Sequence, residues 1–144
     1  MIIMKQLILL ILITSLAGFA YAETAAEKKC LLKAPGSYEA GKILCDGATS
    51  LEPIKCFFEA PGTILEASIL CSGANTAAPL ACFDQTIGKS ISGANRYGAI
   101  LCSGVTLSNW EARVDCYYKL YGTYRDKVLK CAEKGLKWKK YIDR

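Results

Sequence analysis

The apolar positions of this chain form one long run at the N-terminus and short clusters after it, separated by polar turns. No stretch alternates cleanly between apolar and polar residues, and the β-branched residues are scattered, which argues against strands. The later clusters predict short helices, such as the segment ILEASILC that follows Thr63. We therefore predict an all-α fold with about eight helices of about 8 to 14 residues.

The N-terminal run has the parts of an export signal. Lys5 supplies a positive charge, an unbroken apolar stretch covers residues 7–13, and the segment AYA at 20–22 has the small-x-small pattern that signal peptidase cleaves. The apolar stretch with its continuation, residues 7–20, is shorter than the roughly 20 residues that a bilayer-spanning helix needs. We predict a cleaved signal peptide at 1–22 and a single domain at 23–144 with no later transmembrane span.

The cysteine and histidine content limits the kinds of catalytic and metal site that the chain can form. The chain has eight cysteines and no histidine, and no two cysteines form a Cys-x-x-Cys motif. Without histidine the chain cannot build a Ser-His-Asp triad or a His-ligated haem or zinc site, and we expect no cofactor and no metal. In an exported protein an even number of cysteines indicates a disulfide framework, here of four bridges.

The cysteines also mark an internal repeat. The units that begin at Cys30 and Cys56 are each 26 residues long, and APGS at 34–37 in the first aligns with APGT at 60–63 in the second. The motif ILC recurs at 43–45, 69–71 and 100–102, and the third and fourth units retain the cysteines with insertions. We predict four tandem helical-hairpin repeats of about 26 residues. A glycine follows the first cysteine by six positions in every unit, at Gly36, Gly62, Gly88 and Gly122.

Capping residues predict several helix ends. In a capping box the N-cap hydroxyl accepts a hydrogen bond from the N3 amide, and the N3 carboxylate accepts one from the N-cap amide. Glycine just after a helix supplies the left-handed conformation that ends it. Pairs with capping-box spacing, or close to it, are Thr63–Glu66, Ser108–Glu111 and Thr123–Asp126. The candidate helix-ending glycines are Gly47, Gly73 and Gly104.

Two disulfide schemes fit the repeat. One joins cysteines across the loops between units, at Cys45–Cys56, Cys71–Cys82 and Cys102–Cys116, and leaves Cys30 and Cys131 unpaired. Loop spacing mildly favours that scheme, because the linker at 75–78 is centred between Cys71 and Cys82. The other scheme leaves no free thiol, and we prefer it because two orphan thiols are unfavourable in an exported protein. Its pairs are Cys30–Cys45, Cys56–Cys71, Cys82–Cys102 and Cys116–Cys131.

The repeated motif C-x3-APG…ILC-x-GA…P-x2-C resembles cysteine-repeat segments in exported proteins of Gram-negative, notably predatory, bacteria. The resemblance covers the region from Cys30 to Cys131. It is close in the first two units, whereas the last two depart from it by insertion and by loss of the Pro-Gly positions. The resemblance implies export and this architecture, and it assigns no activity.

Charge is concentrated near the C-terminus. Residues 111–144 contain 10 basic and 5 acidic residues, whereas residues 23–110 contain 7 basic and 8 acidic ones. Lysines interleaved with aromatic residues suit a peripheral contact with an anionic surface. The alternative is a solvated face that caps the repeat array. The candidate binding residues here are Lys134, Lys137, Trp138, Lys139 and Lys140.

A second candidate surface is the insertion in the third repeat, SISGANRY at 90–97. Insertions into repeats usually project as loops on one face. Arg96 and Tyr97 within it are residue types common at interface hot spots. An inert longer loop is the alternative.

Together these features predict a secreted or periplasmic, disulfide-stabilised binding module rather than an enzyme. The expected partner is an unknown protein or an envelope component, and no nucleic acid is expected for an exported chain. Three alternatives stay open: a small envelope-active hydrolase that uses a carboxylate pair, a secreted inhibitor or toxin-like effector, and a passive structural protein. The carboxylates available for such a pair are Glu39, Glu59, Glu66, Asp84, Glu111, Asp115 and Asp126.

Overall fold

The computed structural model describes residues 23–86 and 95–142, and this part of the chain is helical without strands. The predicted all-α fold is confirmed, with α-helices of 7 to 10 residues. The predicted signal peptide at 1–22 lies outside the described residues. The helices are α1 (Ala25–Leu31), α2 (Tyr38–Cys45), α3 (Glu52–Glu59), α4 (Ile64–Leu70), α5 (Ala78–Thr86), α6 (Asn95–Cys102), α7 (Trp110–Lys119), α8 (Tyr124–Cys131) and a 3-10 helix (Lys134–Tyr141).

The α-helices form four hairpins, α1–α2, α3–α4, α5–α6 and α7–α8, and one disulfide joins the two helices of each hairpin. The cysteines pair as in the preferred scheme, and their Cα atoms lie 5.6 to 5.9 Å apart. No cysteine is free. This arrangement of four stapled hairpins is compatible with the four-unit repeat. The bridges are Cys30–Cys45, Cys56–Cys71, Cys82–Cys102 and Cys116–Cys131.

Side-chain caps start the second helix of three hairpins. Ser37, Thr63 and Thr123 each accept a hydrogen bond from the amide three residues later. The capping box at Thr63 is complete, because Glu66 accepts a hydrogen bond from the Thr63 amide. The prediction for Ser108 is wrong: α7 begins at Trp110 after Asn109, with no side-chain cap on the helix. The Ser108 hydroxyl instead lies 2.9 Å from the Thr106 hydroxyl in the preceding turn.

The hairpins stack so that their helices form two rows. The second helices pack in the order α2, α4, α6 and α8, and α3, α5 and α7 form the other row. The ILC motif at the end of α2, α4 and α6 supplies the shared core, where its isoleucine, leucine and cysteine side chains are almost fully buried. Burial of the repeated motif is what makes helices this short stable, since isolated helices below about 12 residues are marginal.

Adjacent hairpins approach each other at the backbone. The Gly73 amide donates a hydrogen bond of 2.9 Å to the Leu44 carbonyl of the preceding hairpin. Gly73 has a φ of 61°, and a Cβ at this position would lie 2.4 Å from the carbonyl oxygen of Asp46. The glycine predicted to end α4 therefore also allows the two hairpins to come into contact.

The C-terminal 3-10 helix lies across the row of second helices. It packs against α6, and the Lys137 ammonium reaches Asp46, just after α2, at 2.5 Å. Tyr141 lines a cavity with Ile64 and Leu65 of α4. The end of the chain thus contacts the first three hairpins rather than only the fourth.

Glu27 is a buried carboxylate that the sequence analysis did not single out. It completes a capping box with Thr24 at the start of α1. Its Oε1 atom also accepts a hydrogen bond of 2.9 Å from the amide of Gly47, beyond α2. Hydrogen bonds from the Thr24 and Gly47 amides lower the pKa of Glu27, and burial opposes this shift only in part. The T-x-x-E spacing at 24–27 could have revealed the cap, but not the contact with Gly47.

We expect Glu27→Ala to lower the free energy of unfolding at neutral pH by about 1–2 kcal/mol, because it removes a cap and leaves the Gly47 amide without its acceptor. A lowered folded-state pKa means that this stabilisation is full above the unfolded-state value near 4.5 and is lost as the pH falls through the folded-state pKa. Urea unfolding across the acid range should therefore show a shallower pH dependence in the variant. Glu23→Ala, at an exposed neighbouring carboxylate, is the control. Equal effects of the two substitutions would contradict the assignment.

Candidate functional site

The candidate lysines of the C-terminus lie on the 3-10 helix, and its three-residue period places them on two exposed lines. A 3-10 helix has three residues per turn, so every third side chain is eclipsed. Gly135, Trp138 and Tyr141 form the buried line. The exposed line next to it consists of Lys134, Lys137 and Lys140, and Lys139 is exposed on the third line. The lysines of one line are about 6 Å apart along the axis at a rise of about 2 Å per residue.

Lys137, at the middle of this line, already forms contacts within the protein. Lys137 forms an ion pair with Asp46 in which both side chains are about half exposed, and its ammonium lies 4.8 Å from the centre of the Trp138 ring. Lys140 similarly lies over the Tyr141 ring at 5.0 Å. An exposed pair of this kind adds little stability, and it leaves Lys134, Lys139 and Lys140 as the lysines of this helix best placed to meet a partner.

Trp138 and Tyr97, two of the predicted binding residues, pack in or against the core. Trp138 is only 9% exposed and belongs to the core, so its ring is not available for stacking on a ligand. The prediction that Arg96 and Tyr97 belong to a projecting loop is also wrong. Both lie in the first turn of α6, where they are half-buried, and Tyr97 packs against the core. Residues 90–94 of the insertion, and residues 87–89 with the predicted repeat glycine Gly88, lie outside the described part of the chain.

A concave surface lies between α5 and α7, at a place that the sequence did not predict. Two open cavities of about 500 and 470 Å³ adjoin at Gln85, which lines both. We refer to them together as the α5–α7 groove. The residues that line the first cavity include Asp84, Gln85, Tyr117, Tyr118, Tyr124 and Lys127. The residues that line the second include Gln85, Trp110, Glu111, Val114 and Asp115.

The tyrosines at one end of the α5–α7 groove are held in place by polar contacts. The Tyr118 hydroxyl donates a hydrogen bond of 2.6 Å to the Gln85 carbonyl, and the Tyr117 and Tyr118 rings meet edge to face with centroids 5.4 Å apart. Lys127 lies 4.9 Å above the Tyr117 ring. Burial, together with Tyr124 and Tyr118, raises the pKa of Tyr117 to about 12. Its hydroxyl therefore stays protonated at any physiological pH.

The candidate carboxylates are dispersed over the fold. Glu66 is part of the capping box of α4, and hydrogen bonds with Thr123 lower the pKa of Asp126, which is opposite to what a general acid needs. Glu111 and Asp115 lie one turn apart in the α5–α7 groove, but both are exposed, and Asp115 pairs with Lys119 at 3.4 Å.

A buried arginine near the fourth hairpin has a structural role. Arg113 of α7 is 5% exposed, and its guanidinium donates a hydrogen bond of 2.9 Å to the Leu101 carbonyl at the end of α6. It also pairs with the exposed Glu133 at 3.1 Å. Burial lowers the pKa of Arg113 despite this carboxylate. Arg113 thus caps α6 and joins the third hairpin to the fourth.

No cluster of metal-ligating side chains occurs within residues 23–86 and 95–142. None of the helices in those ranges is long and apolar enough to span a bilayer. Comparisons with protein-family models, with curated proteins and with solved structures find no match to this chain.

Proposed function

We propose that the protein is an exported binding module, periplasmic or secreted, that contacts an anionic component of the cell envelope and performs no catalysis. The observation that carries this proposal is the row of exposed lysines on the C-terminal 3-10 helix, on the outside of the stapled hairpins. Export is supported by the signal-like N-terminus and by the pairing of all eight cysteines, which favours an oxidising compartment.

The lysine row is placed for an extended anionic surface. Lys134, Lys137 and Lys140 share one line of the helix, and Lys139 is exposed on another line. Burial of Trp138 and Tyr141 anchors this helix, so the lysines are held together without the cost of ordering a free tail. Each lysine near a membrane of anionic lipids contributes about 1 kcal/mol. Lys134, Lys139 and Lys140 together would give a weak, salt-dependent peripheral contact.

The exposure of the carboxylates supports binding over hydrolysis. A glycoside hydrolase needs one carboxyl group with a raised pKa, which burial or an unscreened like charge produces. Glu111 and Asp115 form the one pair of predicted candidates that shares a described cavity, and both face solvent there.

We expect the oxidised protein, residues 23–144, to co-sediment with vesicles that contain anionic lipid at low salt and much less at high salt or with neutral vesicles. The variant Lys134→Gln/Lys139→Gln/Lys140→Gln should bind about 100-fold more weakly, at about 1 kcal/mol for each lysine. These substitutions leave the buried line of the 3-10 helix intact. A truncation would be uninformative, because it would also remove Tyr141 and Ile142 from the core.

The matched control is Lys28→Gln/Lys29→Gln/Lys33→Gln, which makes the same charge change at exposed positions of the first hairpin. Equal loss of vesicle binding in both triple variants would show that only net charge matters. That result, or the absence of sedimentation with anionic vesicles at low salt, would contradict the proposal.

A further inference from the structure

The α5–α7 groove combines aromatic surfaces with hydrogen-bonding groups. Trp110, which is half-buried and packs against the core, lines one cavity, and Tyr118 and Tyr124 line the other. Tyr118 is 62% exposed and Tyr124 is 38% exposed, so their rings are within reach of a ligand. Trp110 opens the helix α7 and Tyr118 lies two turns further along it. The aromatic side chains are therefore distributed along the groove rather than gathered at one point.

Polar groups lie between these rings. Asp84 and Gln85 project from the end of α5, and Glu111 and Asp115 follow one another by one turn on α7. Ligand sites in general combine apolar walls with a few placed polar groups that fix the orientation of the ligand.

Carboxylates outnumber lysines in the lining of the α5–α7 groove. Among the described residues that line it, Asp84, Glu111 and Asp115 carry carboxylates, and Lys127, over the Tyr117 ring, is the one lysine. Lys119, outside the lining, pairs with Asp115. This excess of negative charge disfavours a phosphate or an anionic lipid headgroup, and Lys127 disfavours a strongly basic ligand at the tyrosine end. Since carboxylates accept hydrogen bonds from hydroxyl groups, the groove favours an uncharged ligand with many hydroxyl groups.

The α5–α7 groove is also preformed. Cys82, two residues before Asp84, and Cys116, next to Asp115, are tied by disulfides to the second helices of their hairpins. The Tyr118 hydroxyl bonded to the Gln85 carbonyl links α7 directly to the end of α5. A ligand would therefore enter a groove whose walls are already ordered, which reduces the entropy cost of binding.

We propose that the α5–α7 groove binds a linear, uncharged oligosaccharide. A pyranose ring has apolar C–H faces that can lie on Trp110, Tyr118 or Tyr124, and a rim of hydroxyls that can reach Asp84, Gln85 and Glu111. Aromatic side chains provide such amphipathic contact area at low entropic cost. This site is separate from the lysine row, so the protein would contact an envelope glycan and an anionic surface through different residues.

The test is titration of the oxidised protein, residues 23–144, with two probes, cellotetraose and tetra-N-acetylchitotetraose, followed by Trp fluorescence and by chemical shifts of the backbone amides. We expect saturable binding of at least one probe with a Kd in the range of about 0.1–10 mM. The shifted amides should belong to α5, α7 and the start of α8. Trp110→Ala and Tyr118→Ala should each weaken binding at least about tenfold, which corresponds to 1.4 kcal/mol. Tyr118→Phe, which keeps the ring but loses the hydroxyl that links α7 to Gln85, should weaken binding less than Tyr118→Ala does.

Tyr38→Ala is the matched control, since Tyr38 is a tyrosine of similar exposure, 69%, on α2. Circular dichroism verifies that each variant is folded. Three results would overturn the proposal: no saturable change with either probe, binding that survives both Trp110→Ala and Tyr118→Ala, or binding of tetralysine in place of the sugars. The lysine variant that tests vesicle binding should bind the sugars normally, so the two proposals fail independently.

Discussion

Reduction of the four disulfides is expected to unfold the protein. Each bridge closes a segment of 15 or 20 residues and contributes about 3 kcal/mol in the chain-entropy model. Four such contributions are comparable to the whole net stability of a typical domain, about 5–15 kcal/mol. The α-helices of 7 to 10 residues cannot compensate, because helices of this length do not persist without tertiary packing. Far-ultraviolet circular dichroism of the reduced and alkylated protein should show most of the helical signal lost.

The oxidised protein treated with the alkylating agent alone is the control, and it should keep its helical signal because it has no free cysteine. Removal of one bridge at a time, as in Cys30→Ala/Cys45→Ala, should lower the free energy of unfolding by about 2–4 kcal/mol while leaving a folded protein. A reduced protein that still melts cooperatively with native helicity would show that packing alone supports the hairpins.

The second large effect is expected at Gly135. A Cβ on this residue would lie 1.7 Å from the carbonyl oxygen of Ile100 in α6, and backbone on both sides would have to move. We expect Gly135→Ala to displace the 3-10 helix from α6 and to lower the free energy of unfolding by about 3 kcal/mol, as for severe overpacking. Near-ultraviolet circular dichroism should report the change, because Trp138 and Tyr141 leave the core with the helix.

Gly47→Ala separates this steric effect from the general cost of replacing a glycine. Gly47 has a φ of 73°, yet no atom lies within 4 Å of a Cβ built there. Its replacement should therefore cost only the left-handed backbone strain, about 1–2 kcal/mol, and should leave the near-ultraviolet signal of Trp138 unchanged. If Gly135→Ala were as mild as Gly47→Ala, the close packing of the 3-10 helix on α6 would be wrong.

The lysine row and the α5–α7 groove lie on different elements, and their chemistry differs. The lysines of the 3-10 helix present positive charge to solvent, whereas the lining of the groove has more carboxylates than lysines and exposes tyrosines. A module that holds a neutral glycan in one place and an anionic surface in another would attach at the envelope by two weak contacts. Two linked weak contacts can bind far more tightly than either one alone.

Local signals in the sequence determined the all-α fold class and the disulfide-bonded hairpins. The recurrence of APG, ILC and the cysteines predicts hairpins, and the hydroxyls of Thr63 and Thr123 do cap helices where the pattern expects them. Such features can be predicted because capping and turn formation depend on residues within four positions of one another. The cap predicted at Ser108 is absent although its spacing from Glu111 is right, because the preceding turn delays the start of the helix to Trp110.

The candidate site depended on tertiary structure. Trp138 and the lysines are neighbours in the chain, and the sequence therefore predicts one shared surface. The 3-10 helix has three residues per turn and packs on α6, which buries Trp138 and exposes Lys134 and Lys140. The α5–α7 groove joins residues that are more than 20 positions apart. The contact of Lys137 with Asp46 spans 91 positions. The chain by itself therefore determined which segments are helical and stapled, whereas packing between distant segments decided which side chains can meet a ligand.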